Sequence, residues 1–299
     1  MTDEKLNSTN LARIFMDGGL YDQAISEATK CIQTNPKDAE AFYIRGKSYY
    51  NKHQRVFVEL ALPDLTTAIK LNPKFAPAYT TRASILVTDR LYDEALSDAN
   101  KAIKLDPLLT DAYLTRSYIY GAVKRQWELA IQDINKVIEH EPRNITAYSW
   151  RSGYYEAIKQ YEKAIADINK TDELDTKNPD NYAMDYWRLG KCYLAIDDYD
   201  AASSNFLKST EFGYLMAWPD AYLGYTYFKK GESILALTNF NKAIEMEPKY
   251  DQTYSFRADY FISENDSASA IADLKKVLSL SKDNNLIKSA KERLKSLEH

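Results

Sequence analysis

Hydrophobic residues recur along this chain at intervals of three and four, which places one apolar stripe on one face of an α-helix. In one stretch, Ala95, Ala99, Ala102 and Ile103 follow this spacing between polar residues. Many such stretches end in Asn-Pro, Asp-Pro or Glu-Pro, and proline cannot continue a helix. The pattern therefore predicts a series of short amphipathic helices and no β-sheet.

A repeat of about 34 residues organises these helices into pairs. An alanine lies near the start of the second helix of each pair, and the successive separations are 37, 34, 35, 34, 38, 34 and 34 residues. The alanines are Ala24, Ala61, Ala95, Ala130, Ala164, Ala202, Ala236 and Ala270. Helices this short are marginal alone, so we expect stability to come from the stacking of neighbouring pairs.

Two positions of the first helix carry the same kind of residue in each repeat. A small residue stands at Ala12, Gly46, Ala83, Ser117, Ser152, Gly190, Gly224 and Ala258. Three residues later stands a large one, at Phe15, Tyr49, Leu86, Tyr120, Tyr155, Tyr193, Tyr227 and Phe261. Together with the alanine series, this pattern resembles the tetratricopeptide repeat (TPR) family over essentially the whole chain.

The resemblance implies an all-α protein, a right-handed α-solenoid superhelix of helix–turn–helix repeats. We expect eight repeats in residues 1–282, at about 5–38, 39–75, 76–109, 110–144, 145–178, 183–216, 217–250 and 251–282. One extra residue falls near Lys124–Trp127 in the fourth repeat. A C-terminal capping helix is expected at 283–296, and residues 297–299 resemble the start of a polyhistidine tag.

A charge pattern predicts ion pairs between the two helices of five repeats. Arginine precedes the small residue of the first helix in five repeats, and each time the second helix carries aspartate at one matching position. The pairs are Arg45 with Asp64, Arg82 with Asp98, Arg116 with Asp133, Arg151 with Asp167, and Arg257 with Asp273. Leu11, Leu189 and Leu223 replace arginine where that aspartate is missing. We interpret the pairs as structural, and a phosphate-binding ladder of arginines is the alternative.

Composition and charge limit the function classes. The net charge of −4 argues against nucleic acid and anionic membranes as partners, and no apolar run reaches the roughly 20 residues of a membrane span. No signal peptide is visible, so we expect a cytoplasmic protein. Metal-ligand spacings and phosphate-binding loops are missing from the sequence, and Cys31 and Cys192 are interpreted as buried thiols. We therefore expect no enzymatic activity, no cofactor and no metal.

The resemblance implies that first helices line a concave groove that holds a partner protein. The residues expected to contact it are Tyr43, Lys47, Tyr50, Tyr118, Trp187, Lys191, Trp218, Tyr225 and Phe228. The last five form a C-terminal aromatic patch that we expect to anchor the partner. The alternative is that these aromatic side chains pack against each other across neighbouring repeats.

The sequence predicts a protein-interaction scaffold that binds a partner peptide or helix. The family's carboxylate clamp for chaperone C-termini needs lysine, asparagine and arginine where this chain has, for example, Thr9, Ile44 and Pro77. Chaperone tails are therefore disfavoured. One alternative is the non-catalytic repeat part of a larger enzyme system, similar to that of protein O-GlcNAc transferases, whose nucleotide-sugar-binding domain this chain lacks. Another is a self-assembling scaffold.

Overall fold

The computed structural model describes residues 3–52, 55–175, 182–212 and 216–297, and these residues form helices and turns with no β-strand. The α-helices are α1 Asp3–Asp17, α2 Tyr21–Thr34, α3 Ala39–Asn51, α4 Arg55–Leu71, α5 Ala76–Thr88, α6 Tyr92–Leu105, α7 Thr110–Tyr118, α8 Trp127–His140, α9 Ile145–Ala157, α10 Tyr161–Leu174, α11 Tyr182–Ala195, α12 Tyr199–Glu211, α13 Trp218–Lys229, α14 Ser233–Met246, α15 Asp251–Ser263, α16 Ser267–Leu280 and α17 Asn284–Leu297. The predicted all-α solenoid fold is confirmed. Among the described residues, none of the helices combines the length and the apolar content that crossing a membrane requires.

The chain divides into two compact units, Met1–Tyr154 and Tyr155–His299. In the first unit, α1 packs on α2, α3 on α4, α5 on α6 and α7 on α8, and each pair also contacts the next. In the second unit, the same relation joins α11 to α12, α13 to α14 and α15 to α16. Odd-numbered helices also contact each other, for example α5 with α7 and α13 with α15. They form an inner layer within each unit.

The turn between the two helices of a pair has one recurrent geometry. At its end, a backbone N–H bonds to a carbonyl five residues earlier, as from Leu20 to Phe15 and from Leu91 to Leu86. The residue before this donor has positive φ, which is 75° at Gly19 and 62° at Arg90. This is the Schellman arrangement that ends many helices, and it reverses the chain in two or three residues.

The extra residue of the fourth repeat is accommodated inside the helix. Ile119–Val123 forms a π-helical turn that continues α7, and the closing bond runs from Gln126 to Tyr120, one residue further than in the other turns. A π-helical turn is the usual result of a one-residue insertion into an α-helix. The connection itself therefore keeps its geometry.

The close contact within each pair is made by the small residues that define the repeat. All eight alanines of the second helices have no exposed surface. An added Cβ on Gly190 would come within 2.6 Å of the Phe206 ring, and one on Gly224 within 2.7 Å of the Phe240 ring. Phe206 and Phe240 fill the space that these glycines leave and are fully buried.

Helix α17 covers the apolar face that α16 would otherwise expose. Ala290 is fully buried there, and Arg293 donates to the Ser255 carbonyl at 3.2 Å and to Asp259 Oδ1 at 2.6 Å. Leu297, which the sequence analysis assigns to a tag remnant, belongs to α17 and packs against this cluster. This packing does not bear on the origin of Leu297, so its assignment to a tag stays a prediction; residues 298 and 299 lie outside the described residues.

Candidate functional site

Four of the five predicted arginine–aspartate pairs lie together within their repeats. Each arginine donates through Nε and Nη2 to the two carboxylate oxygens of its aspartate, at 2.6–2.8 Å, in a bidentate arrangement. These pairs are Arg45–Asp64, Arg82–Asp98, Arg116–Asp133 and Arg257–Asp273. The aspartates are buried, and the hydrogen bonds to them raise the pKa of Arg45, Arg82 and Arg116. Burial raises the pKa of Asp133, although Arg116 opposes this.

These arginines have a second partner, which was not predicted from the sequence. The remaining Nη1 donates to a threonine or asparagine of the preceding repeat, sixteen residues earlier in the chain. The acceptors are Thr29, Thr66, Asn100 and Asn241 for Arg45, Arg82, Arg116 and Arg257. A polar residue sixteen positions before each arginine was the available signal. With both edges of the guanidinium occupied, this geometry disfavours the phosphate-ladder alternative.

Arg151 makes the same contact with the preceding repeat. Its Nη1 donates to Asn135 Oδ1 at 2.6 Å, again sixteen residues earlier in the chain. Asp167 is buried in α10. Arg151 and Asp167 belong to different units, so their pairing stays a prediction.

The first unit contains a cavity of about 460 Å³ on its inner layer. Its walls come from the first helices α3, α5, α7 and α9, and it takes in three of the predicted contact residues, Lys47, Tyr50 and Tyr118. We call this cavity the first groove; its other lining residues are Asn51, Thr80, Thr81, Ser84, Val87, Thr88, Asp111, Leu114, Thr115 and Trp150.

One residue of the predicted set lies beneath the first groove instead of in it. Tyr43 is only 8% exposed and packs edge-on against Phe75, with ring centroids 4.9 Å apart. The Lys47 ammonium lies 5.9 Å from the Tyr43 ring centre. Tyr43 is therefore not the surface contact that the sequence analysis expects. It is a core side chain that supports Lys47, and its position on α3 gave no sign of the Phe75 contact.

Tyr118 is the most exposed member of the predicted contact set. It keeps 36% of its surface exposed and lies against Trp150, with ring centroids 5.9 Å apart. Ser84 and Thr115 meet at 3.2 Å between α5 and α7. The wall of the first groove is thus a mixture of ring faces and hydroxyl groups.

The second unit contains another cavity, of about 450 Å³, formed mainly by α11 and α13. It takes in two of the predicted residues, Lys191 and Tyr225, and its other lining residues are Glu156, Tyr161, Cys192, Leu194, Ala195, Tyr222 and Phe256. Glu156 accepts from Arg188 Nε at 2.8 Å and lies 3.5 Å from Lys191 Nζ. Burial raises the pKa of Cys192 to about 12, so its thiol is not a nucleophile at neutral pH.

The predicted C-terminal aromatic residues pack against other aromatic rings. Trp187 lies 5.4 Å from Trp218 between ring centroids, and Lys191 lies 4.0 Å from the Trp187 ring centre. Tyr225 stacks on Phe256 at 4.3 Å, and Phe228 meets Tyr260 edge-on at 6.1 Å. All five predicted patch residues are half-buried. This geometry favours the packing alternative over an exposed platform for Trp187 and Phe228.

Among the described residues, no three histidine, cysteine, aspartate or glutamate side chains form a group that could hold a metal ion. The buried aspartates Asp64, Asp98, Asp133 and Asp273 are instead paired with arginine, and they occupy the same position in their repeats.

Four segments, residues 8–38, 76–107, 223–250 and 251–284, match the family model of the tetratricopeptide repeat. These segments of the chain are tetratricopeptide repeats. A relative of this TPR chain is human Tetratricopeptide repeat protein 13, which is 36% identical over 86 residues. The match covers 27% of this chain and 10% of that protein, so the relative's own activity is not transferred. The number of eight repeats stays a prediction.

Solved TPR structures share the fold. A tetratricopeptide repeat protein from Parabacteroides merdae has a TM-score of 0.58 at 18% identity, over 87% of this chain and 99% of that chain. The APC/C hetero-tetramer Cut9–Hcn1 has a TM-score of 0.57 at 15% identity, over 93% of this chain and 53% of that chain. PilF of Pseudomonas aeruginosa has a TM-score of 0.55 at 16% identity, over 73% of this chain and 97% of that chain. At these identities the likeness concerns the fold alone.

Proposed function

We propose that this TPR protein is a non-catalytic interaction scaffold that binds a peptide segment of a partner protein in the first groove. The observation that carries the proposal is the first groove itself, a concave cavity whose walls come from consecutive first helices and include the exposed Tyr118. Concave sites with a few aromatic anchors are where proteins bind extended ligands. The net charge of −4 supports a protein partner over nucleic acid.

We propose that the partner's main anchor lies in the first unit and not in the C-terminal aromatic patch. Trp187 and Trp218 already bury part of their surface against each other, so less of it remains for a ligand. In the first groove, Tyr118 and Leu114 line an open cavity. The cavity of the second unit then contributes secondary contacts around Lys191 and Tyr225.

A site-specific photo-crosslinker tests the proposal. We expect a benzoyl-phenylalanine at position 118 to yield adducts with one protein partner in cells, identified by mass spectrometry. The same group at position 199 is the control, because Tyr199 begins α12 and does not line either cavity. Equal adducts at both positions, or none at position 118, would contradict the proposal. Adducts between two copies of this chain would favour the self-assembling alternative.

A further inference from the structure

We infer that the first groove recognises an uncharged, proline-rich segment in the polyproline II conformation. This inference rests on the proposed function and names the chemistry of the partner segment. Three features of the first groove carry it: its charge, its unpaired hydrogen-bond donors and the spacing of the helices that form it.

The charges in the first groove cancel each other. Its lining contains one cation, Lys47, and one anion, Asp111, and the two interact electrostatically. Lys47 is also held over the Tyr43 ring. A ligand of either sign would therefore meet one favourable and one unfavourable charge, whereas an uncharged segment meets no such conflict.

Three amide, phenol and indole donors in the first groove have no hydrogen-bond partner among the described residues: the Tyr118 hydroxyl, the Trp150 indole N–H and the Asn51 amide. The threonine and serine hydroxyls differ, because most donate to carbonyls of their own helix, as Thr115 does to Asp111 at 2.9 Å. A polyproline II segment has no internal hydrogen bonds and presents its carbonyl oxygens outward. Indole and phenol donors beside ring faces match those carbonyls and the proline rings between them.

The spacing that packed helices usually have agrees with the period of polyproline II. Helices in contact lie about 8–10 Å apart, and polyproline II advances about 9 Å in each turn of three residues. A segment that crosses α3, α5 and α7 would thus present equivalent residues to equivalent positions of successive repeats. An α-helical ligand rises about 5.4 Å per turn, which does not match this period.

Binding of fluorescein-labelled decaproline, measured by fluorescence anisotropy, tests the inference on the full chain. We expect decaproline to bind and a ten-residue Gly–Ser peptide not to bind. Decapeptides in which alternate prolines are replaced by glutamate or by lysine should both bind more weakly. Absence of decaproline binding, or tighter binding of either charged peptide, would overturn the inference.

Variants at position 118 locate the binding. We expect Tyr118→Ala to weaken decaproline binding about tenfold or more, the loss typical of an aromatic anchor. Tyr118→Phe keeps the ring and removes the donor, so its loss should be smaller. Tyr199→Ala, the matched control outside both cavities, should leave the affinity unchanged. Equal binding to the wild type and to Tyr118→Ala would place the peptide elsewhere and overturn the inference.

A displayed library of random peptides separates failure of the inference from failure of the proposed function. The library is selected on the wild type and the enriched peptides are tested on Tyr118→Ala. Enriched peptides that depend on Tyr118 and contain proline at every third position support both. Peptides that depend on Tyr118 but lack proline overturn the inference and leave the proposed function standing. If no enriched peptide depends on Tyr118, both are wrong.

Discussion

At the scale of single residues, each arginine of the four resolved pairs joins three parts of the structure. Arg116, for example, donates hydrogen bonds to Asp133 of its own repeat and to Asn100 of the preceding one. Its guanidinium also lies over the face of the Tyr113 ring. Because Asp133 is buried, removal of the arginine alone would leave a carboxylate without its counter-charge. The pair is therefore a condition for correct packing, even though its net contribution to stability is modest.

A double-mutant cycle tests this role. We expect Arg116→Leu to lower the free energy of unfolding by about 3 kcal/mol, since breaking a buried pair is costly. Adding Asp133→Asn recreates the Leu–Asn combination of Leu189 with Asn205 and should recover part of the loss. The recovery is incomplete because the bond to Asn100 is also lost. Urea denaturation measures the free energy of unfolding of the single and double variants. Losses that simply add would show that Arg116 and Asp133 are not coupled.

Asp172 in α10 provides a pH-dependent prediction. Burial, together with the nearby Asp185 and Asp175, raises the pKa of Asp172 to about 6. The folded state therefore favours the protonated carboxyl, and this contribution to stability is lost as the pH rises from about 4 through 6. Asp172→Asn should raise the melting temperature at about pH 7.5 and change it less at about pH 4.5. Asp89→Asn, at an exposed position after α5, is the control, and an equal gain at both pH values would contradict the prediction.

At the scale of elements, the helix pair is held at a distance that the two facing side chains set together. Gly190 faces Phe206 in the pair α11–α12, whereas Ala258 and Leu274 occupy the same positions in α15–α16. In these two pairs, the larger Phe206 faces glycine and the smaller Leu274 faces alanine. This reciprocity keeps the interior densely filled in both pairs.

Substitutions at Gly190 test the reciprocity. We expect Gly190→Ala to cost about 1–3 kcal/mol, because its Cβ would overlap the Phe206 ring. Combining it with Phe206→Leu reproduces the Ala–Leu combination of α15–α16 and should restore much of the stability. Thermal melts of the single and double variants provide the measurement. A double variant that is less stable than Gly190→Ala would show that the two positions do not compensate.

At the scale of the whole molecule, a stack of repeats is stabilised by contacts between neighbours. We therefore expect the aromatic side chains of the inner layer to serve two purposes, packing and partner binding, that their sequence positions do not distinguish. Trp187 and Phe228 pack against neighbouring rings in the second unit, whereas Tyr118 in the first unit is 36% exposed.

Melting experiments distinguish the two purposes. We expect Trp187→Ala to reduce the free energy of unfolding by about 3 kcal/mol, as truncation of a packed tryptophan does. Tyr118→Ala should cost less than about 1 kcal/mol, because the side chain is substantially exposed. Circular dichroism melts of both variants, with Tyr118→Phe as the conservative control, measure the difference. Equal losses would show that Tyr118 is as much a packing residue as Trp187.

The fold follows from the sequence because its determinants are local and repeated. The spacing of three and four, the alanine series and the terminal prolines each act within one helix pair, and successive copies of the pattern reinforce one another. The arginine–aspartate pattern also depends on the repeat, since residues at equal positions meet equal neighbours. These are the properties that a sequence of stacked units determines by itself.

Tertiary structure alone decided which side chains of the inner layer are exposed. Tyr43 and Tyr118 both lie on first helices, yet Tyr43 is covered by Phe75, whereas Tyr118 lies at the wall of a cavity. The bond from Arg116 to Asn100 and the contact of Leu297 with the terminal cluster depend likewise on residues of other elements. Helical periodicity specifies a face of one helix, but exposure depends on the size and position of side chains on neighbouring helices, which no single-helix pattern contains.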